Sequence, residues 1–521
     1  MEPARVHITT YGCQMNQLDA ELVAAALRAS GAEIVDEPAA ADVLLFITCS
    51  VRGHAEDRVF SNIGALASRK RREPGLVIGL VGCMAQQHGA AVRRRAPLVD
   101  VVCAPGRLPE LPDLIAGARA GKAAIALDPP RGDAPAADGD NPERPLRARV
   151  GERADRVAAL DSALDSLEIH RPLAAKSPGQ AYVVVMRGCD NFCSYCVVPT
   201  VRGPERSRSP SSVLDEVRRL AGQGARQVTL LGQAVNKYRA VEGGRTWDLA
   251  DLLAAAAEEP GLERLSFITN HPRAMTERLA AVFRDIPKIC PYLHMPAQSG
   301  SDAVLGRMNR GYTAAEYAER VAMVRQVRPG VAVSSDFIVG FPGETEGHFE
   351  ATMDLVQRMR FTSAFVFKYS PRPGTRAAAL YPDDVPTAEK RRRNNALLAL
   401  VGEVAAEENQ RLVGRRVRVF VEALAPRPHL DGARREAGSP THRVGMIPRQ
   451  CRGLPQSAIR PGTAGVPWPD GTRQLRGRTP CNRIVVFDGQ PGLVGTLAEV
   501  TILRAGPLTL FAVLADPEQR P

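Results

Sequence analysis

The sequence lacks any run of 18 or more consecutive apolar residues, so it predicts no helix that spans a membrane. Its first residues, MEPARVHITTYGC, lack a basic segment followed by an apolar one, and we expect a first strand there rather than a signal peptide. Cysteine is sparse for a disulfide scaffold, with 10 in 521 residues. The default expectation is therefore a cytoplasmic protein without a membrane partner, in which clustered cysteines bind metal or do chemistry.

Lysine is missing from the last fifth of the chain. Residues 411–521 contain 17 arginines, no lysine and 8 acidic residues, a net charge of +9 out of +11 for the whole protein. A basic segment of this kind fits a polyanionic partner such as nucleic acid. The alternative is an arginine-rich surface that only reflects a high-GC genome.

The chain length and its 44% hydrophobic content predict two to four domains. Residues 1–120 alternate buried strands with helices, which predicts a parallel α/β domain. Residues 121–178, rich in proline, glycine and charge, read as a linker. Six strand–helix repeats in 179–408 predict a partial (β/α)6 barrel with its site at the carboxyl ends of the strands. Short strands in 409–515 predict a small β-barrel, interrupted by an aperiodic insertion at 425–472.

Three cysteines fall within eight residues in the stretch RGCDNFCSYC. Cys189, Cys193 and Cys196 follow the predicted strand AYVVVM, and soft thiolates select zinc or iron–sulfur clusters. A structural zinc site would need a fourth ligand nearby, yet the nearest later candidate is the distant His271. A cubane cluster on three cysteines instead leaves one iron open for a small molecule.

A second set of three cysteines is spread along the first domain. Cys13, Cys49 and Cys83 are 36 and 34 residues apart, and each lies just after a predicted strand. Neighbouring strands of a parallel sheet end on one edge, where such folds place ligands. The set could therefore hold a second cluster, or be three buried cysteines acting as small apolar residues.

The spacing Cys-x3-Cys-x2-Cys in the first loop of a partial α/β barrel resembles the radical S-adenosylmethionine (SAM) superfamily. Within it, the chain resembles the methylthiotransferases over nearly its whole length outside the linker and the insertion. The basic tail resembles a TRAM domain, a small RNA-binding β-barrel. The matching stretches are TYGCQMNQLDAE, TCSVRGHAEDRV, GLVGCMAQ, RGCDNFCSYCVVPTVRGPERSR, LLGQAVNKY, HMPAQSGSDAVLGRMNRGYT, SSDFIVGFPGET and KYSPRPGTRAA.

The resemblance implies two [4Fe-4S] clusters and two SAM molecules per turnover. One cluster, on Cys189, Cys193 and Cys196, would bind SAM at its open iron and cleave it to a radical that abstracts hydrogen from C2 of adenine. The other, an auxiliary cluster on the three N-terminal cysteines, would carry the sulfur. Acid–base chemistry cannot break that C–H bond, so the cofactor does the difficult step.

The resemblance also implies SAM contacts at the strand ends, although each could be an ordinary polar loop residue. These candidates are Gln233, Asn236, Gln298, Ser299, Asp336, Gly340 and Tyr369. The arginines just past the cysteine loop could meet RNA phosphate or the SAM carboxylate, or form a solvated run: Arg202, Arg206 and Arg208. Candidate RNA phosphate contacts in the tail are Arg415, Arg416, Arg418, Arg478 and Arg483.

Within the family, the stretch GCQMN indicates the branch that acts on tRNA. That branch converts N6-(dimethylallyl)adenosine next to the anticodon to its 2-methylthio form, which makes the tRNA anticodon loop the expected partner. An electron donor and a sulfur source are also needed, and the sequence identifies neither. The alternatives are methylthiolation of threonylcarbamoyl-adenosine in tRNA or of a ribosomal protein side chain, and a non-catalytic Fe–S module that binds RNA.

Overall fold

The computed structural model describes most of the chain: residues 3–50, 53–128, 159–174, 178–425 and 471–515. It separates into two compact units, residues 1–401 and 402–521. The predicted insertion lies almost wholly outside the described residues, as does much of the predicted linker. No helix in the described ranges is both long and apolar enough to cross a bilayer.

The first unit begins with a six-stranded parallel sheet, which confirms the predicted α/β domain. The strand order is β2-β1-β3-β4-β5-β6. The central strands β3 (Val43–Thr48) and β4 (Val77–Gly82) are buried at every position, because helices cover both faces of the sheet. The other strands are β1 (Arg5–Thr10), β2 (Glu33–Ile34), β5 (Val101–Cys103) and β6 (Ala124–Ala126).

The last strand of this sheet falls inside the predicted linker. β6 pairs in parallel with β5, Val101 lying opposite Ala124, so the sheet extends past residue 120. A strand of three residues is too short to show a periodic pattern, and the surrounding composition concealed it. A helix at residues 159–170, here α7, likewise lies within the predicted linker range.

Within the described part of residues 3–119, six helices accompany the sheet. They are α1 (Gln14–Ala29), α2 (Gly53–Ala65), α3 (Ala67–Arg72), α4 (Cys83–His88), α5 (Ala91–Arg95) and α6 (Leu111–Arg119).

A six-stranded partial barrel completes the first unit and confirms the predicted (β/α)6 architecture. Two three-stranded parallel sheets, β7-β10-β13 and β14-β15-β16, are joined by a bridge between Leu265 and Ile289. Their apolar residues form one core with the surrounding helices. The strands are β7 (Gln180–Val184), β10 (Gln227–Leu231), β13 (Arg264–Phe267), β14 (Tyr292–His294), β15 (Ala332–Val339) and β16 (Ser363–Lys368).

The barrel helices begin at Ser or Thr caps in several cases, as at Ser209 and Thr313. They are α8 (Val198–Val201), α9 (Pro210–Gly222), α10 (Leu249–Ala257), α11 (Glu277–Asp285), α12 (Asp302–Arg307), α13 (Ala314–Val327), α14 (Glu346–Met359), α15 (Arg376–Leu380) and α16 (Thr387–Gln410). Two short antiparallel pairs are inserted between barrel elements: β8 (Met186–Arg187) with β9 (Arg206–Ser207), and β11 (Arg239–Glu242) with β12 (Arg245–Asp248).

The second unit contains a closed five-stranded barrel, as predicted for the tail. The strand order is β17-β18-β19-β21-β20, and an apolar cluster that includes Val419, Leu475 and Val500 fills the interior. The barrel closes even though the insertion separates its first two strands. The strands are β17 (Arg416–Leu424), β18 (Arg473–Arg478), β19 (Ile484–Gly489), β20 (Leu497–Ala505) and β21 (Thr509–Leu514).

Candidate functional site

The three N-terminal cysteines lie at the carboxyl ends of three adjacent strands, β1, β3 and β4. Cys13 caps the start of α1, Cys49 directly follows β3, and Cys83 is the first residue of α4. Thr48 lies opposite Gly82 in the parallel register, so Cys49 and Cys83 leave the sheet from neighbouring positions. The sheet therefore brings the whole set to one edge, where it can converge on a common ligand.

A buried asparagine ties these cysteine loops together. Asn16 donates from Nδ2 to the carbonyl of Thr48 at 2.9 Å, and its Oδ1 lies 3.4 Å from the Cys13 amide nitrogen. Thr48 in turn donates from Oγ1 to the Val81 carbonyl at 2.9 Å. Sequence reasoning missed Asn16, although its place three residues after a helix cap is a known signal for a capping interaction.

The Cys13 and Cys49 sulfurs are in contact. Their hydrogen bond is the main reason why the pKa of Cys13 falls to about 6, and the positive charge of Arg202 adds to the effect. Burial raises the pKa of Cys83, and Arg202 opposes that rise. Since the thiolate is the form that binds metal, this edge already stabilises the ligand form of one cysteine.

Cys189, Cys193 and Cys196 lie in the loop between β8 and α8, at the mouth of the barrel. The Cys196 amide donates to the Cys193 carbonyl at 3.0 Å, which turns the chain between these two ligands. Ser194 anchors the loop to the end of α12, donating from its amide to Met308 at 2.9 Å and from Oγ to Arg307 at 2.8 Å. Contacts with the end of α12 thus hold the loop in place, in addition to the hydrogen bond within it.

Polar donors point at two of these sulfurs. Arg310, which is buried, lies 3.2 Å from Cys193 Sγ, and Asn191 Nδ2 lies 3.3 Å from Cys189 Sγ. Burial raises the pKa of Cys196 to about 12. Hydrogen bonds to cysteine sulfur are a recognised way for a protein to tune an iron–sulfur cluster.

The arginines just past the loop are not the solvated run that was one reading of the sequence. Arg202 forms a two-pronged ion pair with Asp19, and its Nε lies 3.1 Å from Cys83 Sγ. Arg208 is buried against Glu216 at 2.6 Å. Arg206 pairs with Asp161 in α7.

All three arginines thus pair with carboxylates of the protein itself. Sequence reasoning could not find this because the Arg202 partners lie 183 and 119 residues away along the chain.

The donor chemistry of both cysteine sets fits an iron–sulfur cluster. Within the described ranges, no three His, Cys, Asp or Glu side chains gather closely enough to share one metal ion. A cubane makes a different demand, because each thiolate binds a separate iron at its own corner. Three thiolates per set supply three of those corners.

Several buried polar atoms at the barrel mouth have no hydrogen-bond partner among the described residues. They are Gln233 Oε1, Asn270 Oδ1 and the Tyr369 hydroxyl, which follow β10, β13 and β16 respectively. Buried polar groups are normally satisfied, so these three atoms fit a polar cofactor such as SAM. Gln233 and Tyr369 were predicted SAM contacts, whereas Asn270 was missed.

Other predicted SAM residues already have partners in the protein. Asn236 exchanges two hydrogen bonds with the backbone of His271, at 2.8 and 2.9 Å. Ser299 Oγ lies 3.3 Å from the Thr352 hydroxyl. Asn236 therefore ties the loop that carries Gln233 to the loop that carries Asn270, whereas Ser299 ties its own loop to α14.

The remaining candidates shape the mouth through the backbone as well as the side chain. The Gln298 amide donates to the Asp336 carbonyl at 2.8 Å, and Asp336 Oδ1 lies 3.5 Å from His294. Gly340 has a φ of +70° and donates its amide to Glu344 at 2.8 Å. These contacts hold strand ends in place, and the predicted SAM contacts there stay predictions.

The predicted RNA-binding arginines divide into two groups in the second unit. Arg478 pairs with Glu422 at 2.9 Å, and Arg483 donates to Asn409 at 2.7 Å. Arg415 and Arg418 are exposed, and Arg416 is half-buried at the start of β17. The exposed side chains are the better placed to meet a phosphate backbone.

Comparison with known proteins first gives the class. Residues 183–356 match the family model described as "Radical SAM superfamily", and residues 5–104 match "Uncharacterized protein family UPF0004". The fold is similar to that of a radical SAM methyltransferase, TsrM from Kitasatospora setae, solved with cobalamin and a [4Fe-4S] cluster bound. The TM-score is 0.52 at 15% identity, and the match covers 72% of this chain and 74% of that one.

Curated relatives then narrow the family. The chain is 41% identical to "tRNA-2-methylthio-N(6)-dimethylallyladenosine synthase" of Rhodopirellula baltica, over 97% of this chain and 94% of the relative. It is 40% identical to the protein of the same name from Chromobacterium violaceum, over 97% of each chain. The chain belongs to this family of radical SAM methylthiotransferases.

Proposed function

We propose that this protein transfers a methylthio group to C2 of N6-(dimethylallyl)adenosine in tRNA, next to the anticodon. The proposal is carried by the agreement between two observations: the chain is 41% identical to a curated synthase over nearly its whole length, and its six cysteines form two sets, one at the ends of β1, β3 and β4 and the other in the loop that follows β7 and β8. The tRNA substrate makes the cytoplasm the expected place of action.

Two iron–sulfur clusters are part of the proposal, one on each set. Cys189, Cys193 and Cys196 would hold the cluster at the barrel mouth, and it would supply the radical chemistry that an unactivated C–H bond requires. Cys13, Cys49 and Cys83 would hold the auxiliary cluster, which would carry the sulfur.

The protein itself does three things at this site. Arg310 and Asn191 donate hydrogen bonds toward the sulfurs of the mouth cluster, which offsets thiolate charge in a buried loop. The amide oxygens of Gln233 and Asn270 would accept hydrogen bonds from SAM, and the Tyr369 hydroxyl would donate one. Cys189 and Tyr369 are buried, so this part of the mouth would keep the reacting groups away from bulk water.

The second unit contributes affinity for tRNA. Its barrel presents Arg415 and Arg418 on the surface of a domain that has no lysine. Contacts of this kind to phosphate position an RNA without reading its sequence. The electron donor and the sulfur source are separate partners that this chain does not itself supply.

The test uses the anaerobically reconstituted full chain with SAM, dithionite and tRNA that carries N6-(dimethylallyl)adenosine. We expect about eight irons per chain, the content of two cubanes, and a tRNA nucleoside whose mass has increased by a methylthio group in place of hydrogen. tRNA with unmodified adenosine and tRNA with threonylcarbamoyl-adenosine are the matched controls, and neither should react.

Each alternative has its own result. SAM cleavage without any change in the dimethylallyl-containing tRNA would contradict the proposed substrate, and methylthiolation of the threonylcarbamoyl control or of ribosomal protein would replace it. A full iron complement without SAM cleavage would indicate a non-catalytic RNA-binding module.

A further inference from the structure

Arg202 connects the two cysteine sets. It follows Cys196 by six residues, at the end of α8, and its guanidinium reaches across to the N-terminal sheet. There its Nε lies 3.1 Å from Cys83 Sγ, while its two terminal nitrogens lie 3.2 and 2.5 Å from the carboxylate oxygens of Asp19. All three guanidinium nitrogens are therefore engaged at once.

The surroundings of this arginine are closed to solvent. The side chains of Arg202 and Asp19 are only 10% and 6% exposed. Val197 and Val201, on the same short helix, pack directly against Cys83. A charge at this position acts on the sulfur with little screening by water.

A planar guanidinium that donates two hydrogen bonds to one carboxylate is held in a fixed orientation, and it stays positively charged. Asp19 takes two of its nitrogens and leaves Nε aimed at the sulfur. The ion pair therefore has a fixed polarity at Cys83. The Arg202 guanidinium contacts the sulfur, and the Asp19 carboxylate lies on the other side of the guanidinium.

We propose that the Arg202–Asp19 pair is a positioning and tuning device for the auxiliary cluster, setting its reduction potential through the hydrogen bond to Cys83. This inference rests on the proposed two-cluster function. Adding an electron to a cluster adds negative charge, which a neighbouring cation stabilises and a neighbouring anion opposes. Arg202 thus raises the potential, and Asp19 limits how far it rises.

The test is an EPR-monitored redox titration of the auxiliary cluster alone. The full chain with Cys189, Cys193 and Cys196 all replaced by alanine retains only the auxiliary set and is expected to hold about four irons. In that background, Arg202→Met keeps an unbranched apolar stem but removes the charge and the donors, and we expect the midpoint potential to become more negative. Asp19→Asn keeps the shape but removes the opposing charge, and we expect the potential to become more positive.

Two further variants separate tuning from simple structural support. Arg202→Lys restores the charge without the fork, so the potential should return most of the way to the parent value. Arg372→Met removes another arginine that links the N-terminal sheet to the barrel, but its guanidinium contacts Glu56 at 3.1 Å rather than a cysteine. The change in midpoint potential caused by Arg372→Met should be clearly smaller than the change caused by Arg202→Met.

Opposite shifts for Arg202→Met and Asp19→Asn support the proposal. Shifts of the same sign, or no shift, in variants that keep about four irons would overturn it. If the Arg202→Met variant does not assemble the cluster, the Asp19→Asn variant tests the proposal by itself. An unchanged or more negative midpoint potential in Asp19→Asn would contradict the proposal. A parent background that binds no iron would instead refute the auxiliary cluster, and with it the proposed function.

Discussion

At the scale of single residues, two glycines permit the cysteines of the auxiliary set to approach one another. Gly12 has a φ of +137°, and a Cβ added there would lie 2.6 Å from Cys49 Cβ. Gly82 has a φ of +102°, and its Cβ would lie 2.8 Å from the Thr48 carbonyl oxygen. Each glycine precedes a cysteine, so the ligand positions depend on backbone that other residues adopt only with strain.

Gly12→Ala should therefore disrupt the auxiliary set. We expect a loss of about 1–3 kcal/mol in the free energy of unfolding from backbone strain alone, and a fall in iron content toward that of one cluster. Thermal unfolding and iron analysis measure the two effects. Gly64→Ala is the matched control, because that exposed glycine lies inside α2 with open space around its Cβ position and should be neutral or slightly stabilising.

The pKa of Cys13, lowered to about 6, predicts selective reactivity in the iron-free protein. A depressed pKa means that the thiolate is present above about pH 6 and is lost as the pH falls below it. Cys196, with a pKa raised to about 12, stays protonated over the same range. Alkylation rates measured by peptide mass spectrometry between about pH 5 and 9 should show Cys13 reacting faster, with its rate falling below about pH 6. Equal rates with a common midpoint near the ordinary thiol pKa would contradict this.

The six cysteines proposed as ligands could be picked out from sequence because each set has a readable position: a compact spacing for one, and the ends of successive strands for the other. The contacts of Arg202, and that of Asn16 beyond its own helix cap, could not be found in the same way. The roles of these two residues depend on contacts with residues far away along the chain, as with Asn16 and Thr48, 32 residues apart. Local spacing carries no information about such contacts.

At the scale of secondary structure elements, a buried charge network attaches α7 to the barrel. Arg208, after β9, lies 3.0 Å from Glu168 of α7 and 2.6 Å from Glu216 of α9, and all three side chains are almost fully buried. Arg187 on β8 adds a pair with Glu168 at 2.7 Å. These buried ion pairs thus attach α7 to the barrel. Removing one partner would leave a buried charge unpaired, which is strongly destabilising.

Arg208→Met should destabilise this region strongly, because it leaves Glu216 and Glu168 each short of a partner. We expect a loss of about 3–5 kcal/mol, read as a lower urea midpoint by circular dichroism. Arg218→Met is the control. Arg218 lies on α9, as Glu216 does, but it is 66% exposed and pairs with Asp215 across one turn. That change should cost less than about 1 kcal/mol, and equal losses in the two variants would contradict the account.

The exposed arginines of the second unit predict how tRNA binding depends on salt. Arg415→Ala should weaken binding by a similar factor for different tRNAs and reduce the slope of log K against log salt by about one. Arg411→Ala is a suitable control, because Arg411 is also exposed but pairs with Glu408 at 3.1 Å. Filter binding across a salt series measures both, and an unchanged slope for Arg415→Ala would exclude a phosphate contact there.

Element order and type followed from the apolar pattern wherever a segment was long enough to show one, as in the continuous apolar runs of β3 and β4. β6 was missed because it has only three residues and directly precedes a stretch rich in proline and charge. The closure of the C-terminal barrel could be anticipated from its short strands. The pairing of β17 with β20 could not, because antiparallel register across a long separation is set by packing rather than by local sequence.

At the scale of the whole molecule, the first unit combines two α/β folds, and each presents one cysteine set at the carboxyl ends of its strands. In the proposed function neither set alone suffices, since one would make a radical possible and the other would offer a place for sulfur. Arg202 and Arg372 are among the side chains of the barrel that contact the N-terminal fold. The sequence carried the two sets, whereas their juxtaposition required the structure.

The most direct test of this account is the nucleoside composition of tRNA from cells in which the gene is deleted, measured by mass spectrometry. The account predicts that 2-methylthio-N6-(dimethylallyl)adenosine disappears and N6-(dimethylallyl)adenosine accumulates. The wild-type protein should restore the modified nucleoside, and Cys13→Ala should not. An unchanged amount of the 2-methylthio nucleoside in the deletion strain would contradict the account.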